Sequence, residues 1–143
     1  MINFGRMKPV NFLFAIAFLL LANAGCSPDG KTQITGGGKG GSLTVKIVPE
    51  YSNSFVDTCT VYVKYGTLDA PANGVYDDSV ICTRVNDTSV AVFTGLTTGI
   101  YYFYGVGFHA GGGHSPNVRG AKNCSVSGPG PFLYYLPTYS YNP

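Results

Sequence analysis

The chain has 143 residues, of which 45% are hydrophobic, 14% aromatic and only 11% charged, with nine Lys or Arg against seven Asp or Glu. That length predicts one domain, large enough to bury a core without help from a metal. So small a positive excess is no footprint for nucleic acid, which calls for a basic patch or stripe.

Arg6 and Lys8 precede an apolar run from Val10 to Leu21, followed by Ala22-Asn23-Ala24-Gly25-Cys26. A basic start, a short apolar run and a zone of small residues predict a secretory signal. The run falls short of the ~20 apolar residues that a membrane-spanning helix needs. Cys26 directly after Ala-Gly resembles a bacterial lipobox. The resemblance implies cleavage before Cys26, lipidation of that cysteine and attachment of the mature chain to a membrane outside the cytoplasm. Asn23 departs from the pattern, which usually has Leu or a similar apolar residue there. The predicted organisation is a signal over 1–25, a Gly-rich linker over 26–42 and a β domain over 43–143. Loss of Arg6 and Lys8 leaves seven basic and seven acidic residues, so the mature chain is formally neutral.

Ser27 to Ser42 reads SPDGKTQITGGGKGGS, a composition expected of a flexible spacer. Then strand patterns begin. Leu43, Val45 and Ile47 share one face of the first; Val61, Val63 and Tyr65 share one face of a second over Cys59 to Tyr65. A turn-rich loop over Gly66 to Tyr76 leads to a third strand, Asp78 to Val85, and Asn86-Asp87-Thr88 turns it back. Val90 to Phe93 and Ile100 to Phe108 form a central pair joined by Gly95-Leu96-Thr97-Thr98-Gly99. In the second of these, Tyr101 and Phe103 face one side and Tyr102, Tyr104 and Val106 the other. Val118 to Val126 and Phe132 to Tyr139 complete about seven strands. No helical period occurs after the signal. The fold expected is all-β, a single antiparallel β-sandwich of about seven strands.

The corner Phe93-Thr94-Gly95-Leu96-Thr97-Thr98-Gly99-Ile100-Tyr101-Tyr102, with the distal Val118-Arg119-Gly120, resembles that of transthyretin-like (prealbumin-like, carboxypeptidase-regulatory-like) domains. The resemblance covers about a tenth of the chain and implies a prealbumin-like sandwich with Phe93 and Leu96 in its core. It carries little about function, because sites are grafted onto folds. Some relatives in that group cross-link a first-strand Lys to a last-strand Asn or Asp beside a buried acid. Here Lys46 has only Glu50, on its own strand, and Asn142 to work with. The urate-pathway hydrolases of the group end in Tyr-Arg-Gly-Ser, which the tail Leu136 to Pro143 lacks.

Among candidate chemical groups, Cys59, Cys82 and Cys124 would lie in an oxidising compartment. A hairpin centred on Ala70 and Pro71 would set Cys59 opposite Cys82, so that pair is the expected disulfide; buried free thiols are the alternative. His109 and His114 flank a glycine run with no acid between His109 and the C-terminus, so they are read as the edge of a recognition surface and not as metal ligands. Tyr62, Tyr101, Tyr134, Tyr139 and Tyr141 are candidates for exposed tyrosine surface, able to stack on sugar rings or anchor a protein partner. Asp78-Ser79-Val80 resembles the O-glycosylation tripeptide of Bacteroidota envelope proteins, which would place a glycan on Ser79. No nucleophile, base and orienter can be assembled. The function expected is a lipid-anchored, non-catalytic binding or assembly module without a cofactor, with a glycan-binding module using surface tyrosines as the alternative.

Overall fold

The computed structural model describes residues 34–110 and 117–141. The signal, Cys26, His114 and Asn142 lie outside them. Every regular element among the described residues is a strand: β1 (Lys39–Tyr51), β2 (Ser54–Phe55), β3 (Thr58–Tyr65), β4 (Asp78–Ile81), β5 (Thr83–Val85), β6 (Thr88–Leu96), β7 (Gly99–Phe108), β8 (Asn117–Val126) and β9 (Phe132–Ser140). The described part of the chain is all-β, as its alternating patterns predict.

The strands hydrogen-bond in the order β4-β3-β7-β8-β9-β1-β6-β5, with β2 attached to the end of β1. The stretch Asp78–Val85, read as one strand, is two. It breaks at Cys82, where β4 leaves β3 and β5 joins β6. The first and last strands of the path are thus consecutive in the chain, and the sheet curls until it nearly closes into a barrel. All pairings are antiparallel except β1 with β9, which runs parallel from Val45↔Phe132 to Tyr51↔Thr138. The wholly antiparallel expectation is corrected here. An alternation of apolar and polar residues has the same form read in either direction, so it places a strand's faces without fixing its polarity.

The interior is filled by the inward set of each strand, including Val45 and Ile47 of β1, Val61 and Val63 of β3, Phe93 and Leu96 of β6, Val118 and Val126 of β8, and Leu136 of β9. Phe93 and Phe103 belong to strands that are not neighbours in the sheet, yet their rings meet at 5.2 Å across the interior. Tyr101 is also fully buried. Its hydroxyl donates to Thr97 O at 2.5 Å and accepts from Gly38 N–H at 3.1 Å. Tyr101 is therefore not part of any exposed tyrosine surface. Both faces of β7 are apolar enough to be covered, and the buried one is the one whose single polar atom finds backbone partners.

The end of the Gly-rich stretch belongs to the sheet. β1 begins at Lys39, before Leu43, with a register shift that sets both Lys39 and Leu43 opposite Leu96. Just ahead of it, Gly36 O accepts from Ile100 N–H at 2.7 Å and Gly38 O from Thr97 N–H at 2.9 Å. A Cβ at Gly37 would lie 2.7 Å from Ile100 O. Glycine is needed at that point for close backbone approach, not for flexibility.

Candidate functional site

The outer face of β3 and β7 carries a cluster of tyrosines. Strand register sets Tyr62 directly opposite Tyr104, and Lys64 opposite Tyr102. Side chains directly opposite in an antiparallel pair are close enough to interact. Between β3 and β4 the chain makes a long turn, and this returns Tyr76 over the same face. The Tyr76 ring stacks on Tyr104, with centroids 5.9 Å apart and planes 11° from parallel. The Tyr62 ring lies 5.5 Å from that of Tyr76, tilted by 43°. Burial raises the Tyr76 and Tyr102 hydroxyls above their ordinary range, with neighbouring tyrosines adding to the shift, so both remain neutral donors at any physiological pH.

Beside this cluster lies an open groove of about 400 Å³, lined by Tyr62, Gly74, Tyr76, Asp77, Asp78 and Ser79. Two of its lining residues are carboxylates held in place by their partners. Asp77 accepts from Lys64 Nζ at 2.7 Å and from Tyr65 N–H at 2.7 Å. Asp78 accepts from Ser79 N–H at 2.8 Å and pairs with Lys39 Nζ at 2.9 Å. The Lys64 ammonium holds the Asp77 carboxyl below its ordinary value, and the Lys39 ammonium does the same for Asp78. Both stay ionised at neutral pH, about a third exposed, and each keeps lone pairs free for a ligand's hydroxyls. Aromatic faces beside anchored acceptors can hold a ring that is apolar on its faces and polyhydroxylated at its rim.

The residues singled out from sequence are spread over the molecule. Tyr62 and Ser79 are brought together in the groove, directly paired across β3 and β4. Tyr134 on β9 is half-buried, donates to Ser125 O at 3.2 Å and packs on the core, so it does not line the groove. Tyr139 is exposed, whereas Tyr141 lies under the Arg119 guanidinium at 4.9 Å. His109 is held, not loose: its Nδ1 is 3.1 Å from Phe55 O and 3.5 Å from Asp57 Oδ2, and its ring lies 5.3 Å from Tyr51. Asp57 is the acid that the local sequence around His109 lacks. Cys59, Cys82 and Cys124 are free thiols. Lys46 is exposed on the outside of β1, away from any buried acid. Among the described residues no group of three or more His, Cys, Asp or Glu side chains could hold a metal ion.

Sequence reasoning missed Tyr76, Tyr104 and Asp77. The signal for Tyr104 was present, since pairing the two strand patterns in register puts it opposite Tyr62. Nothing local marks Tyr76, which reaches the site only because the loop folds back. No protein-family model, curated protein or solved structure matches this chain.

Proposed function

We propose that the chain is a bacterial lipoprotein, acylated at Cys26, that presents a non-catalytic, transthyretin-like β-sandwich module on the cell envelope and binds through the groove lined by Tyr62 and Tyr76. The groove is the observation that carries this reading. It combines the Tyr62 and Tyr76 rings with two salt-bridged carboxylates in an open hollow. The corner motif supports the finer assignment of fold, since Phe93 and Leu96 are both buried and Gly95 takes a left-handed φ of 70°. The lipobox-like sequence supports the anchor. Replacing Cys26 with Ala is expected to abolish labelling by an alkyne-tagged fatty acid in growing cells and to release the protein from the membrane fraction. Labelling that persists in this variant would remove the anchoring half of the proposal.

The ligand class that the groove favours is a glycan. Tyrosine rings present flat apolar faces for sugar C–H groups, while Asp77 and Asp78 are acceptors for sugar hydroxyls. An array of immobilised bacterial surface polysaccharides, probed with the wild type and with Tyr76→Ala, tests it. Tyr76 sits on a loop, so the variant keeps the core intact. Binding by the wild type, with affinity about tenfold lower in Tyr76→Ala, is expected from the loss of one stacked ring. Equal binding by both proteins would move the site elsewhere.

A further inference from the structure

The β4–β5 break at Cys82 is also the place where the sheet passes from β3 to β6. Cys59, near the start of β3, is its partner. The β3–β4 register runs from Val63↔Asp78 to Thr60↔Ile81, and its next step pairs Cys59 with Cys82. The backbones are joined at that step by a hydrogen bond from Cys82 N–H to Cys59 O, 2.8 Å long. Residues paired directly in an antiparallel ladder have Cα atoms about 4.5–5.5 Å apart and side chains on the same face. That separation falls inside the range of about 4.4–6.8 Å that disulfides accept. On the far side of Cys59, β7 offers glycines: Gly107 is its partner and a Cβ at Gly105 would come within 3.3 Å of the Cys59 sulfur. Glycine at position 105 leaves the space that the Cys59 sulfur occupies.

We propose that Cys59 and Cys82 form a reversible disulfide that staples the seam of the sheet and braces the tyrosine groove. All six residues lining the groove, from Tyr62 to Ser79, lie inside the loop that this bond would close. The bracing rests on the groove being the binding face; the bond itself does not.

The two thiols are unequal. Cys59 is buried, and hydrogen bonding to Cys82 together with burial pushes its thiol far above the ordinary range. Cys82 is half-buried and the same hydrogen bond lowers its thiol. Cys82 is therefore the thiolate that reacts first. With a small-molecule disulfide such as oxidised glutathione, the Cys82 sulfur attacks one sulfur of the oxidant, forming a mixed disulfide and releasing one thiolate. Cys59 then loses its proton and attacks the Cys82 sulfur, displacing the second thiolate. Two protein thiols are oxidised, the oxidant is reduced to two thiols, and those take up the two protons. Cys124 stands apart on β8, paired with Tyr101. Its thiol is pushed up to about 12 by burial, so it remains reduced.

The test equilibrates the full chain with oxidised glutathione, alkylates it in denaturant and maps the peptides. A cross-linked peptide joining Cys59 to Cys82, with Cys124 alkylated, is expected. Free Cys59 and Cys82, or a bond to Cys124, would overturn the proposal. Oxidation should also raise the melting temperature by about 10 °C, as expected for closing a loop of this length. The rise should be absent in Cys82→Ser. Amide exchange over Gly66 to Asp77 should slow several-fold on oxidation. Unchanged exchange there would overturn the bracing while leaving the glycan reading to its own binding test.

Discussion

Tyr101→Ala is expected to destabilise the domain by about 3–5 kcal/mol, the cost of removing a large aromatic side chain from a packed core. The ring is fully buried, stacks beside Phe103 at 6.1 Å and meets Tyr65 edge-on at 5.9 Å. Its hydroxyl also satisfies Thr97 O and Gly38 N–H, so the substitution leaves backbone groups without their partner. Tyr101→Phe separates the two contributions. It keeps the ring and removes the hydroxyl, at a cost of about 1–3 kcal/mol. Denaturant melts of both variants give the comparison. A Tyr101→Ala protein as stable as the wild type would mean that the corner between β6 and β7 is not built as described.

Gly99→Ala tests the other side of that corner. A Cβ on Gly99 would lie 2.5 Å from both Gly36 O and Gly37 N, and would also strike Gly37 Cα. These are backbone atoms, which cannot rotate aside as a side chain would. The segment Gly36–Gly38 must therefore lift off the corner, breaking the hydrogen bonds to Ile100 N–H and Thr97 N–H. The expected loss is about 1–3 kcal/mol, in line with other overpacked interiors. Hydrogen exchange at Ile100 and Thr97 should accelerate markedly. Unchanged exchange at those amides would return Gly36–Gly38 to the role of a free spacer.

Much of the β architecture was legible in the sequence because period-two alternation is a direct image of a strand with one wet face. The pattern separated Tyr101 and Phe103 from Tyr102 and Tyr104 correctly. It does not say which set is inside, because both are aromatic, and Tyr101, a surface candidate on sequence alone, is core. Glycine composition misled at Gly36–Gly38, since the same residue serves flexible spacers and close backbone contacts. The parallel pairing of β1 with β9 was invisible for want of any directional signal in alternation. In the candidate site, Tyr62 is legible in the sequence and Tyr76 is not. The Tyr62 position follows from its own strand, whereas Tyr76 depends on how a long loop folds back. His109 gains its partner Asp57 only through the pairing of β3 with β7, which sets Thr58 opposite Phe108 and so brings the two residues together.

The most direct test of the account is an NMR titration of the isotope-labelled protein with soluble fragments of a polysaccharide that binds it on the array. The account predicts amide shifts confined to Tyr62, the segment Gly74 to Ser79, and Tyr104, and their loss in Tyr76→Ala. Shifts gathered instead on the outer faces of β1, β6 and β9, around Lys46, Val92 and Leu133, would contradict it.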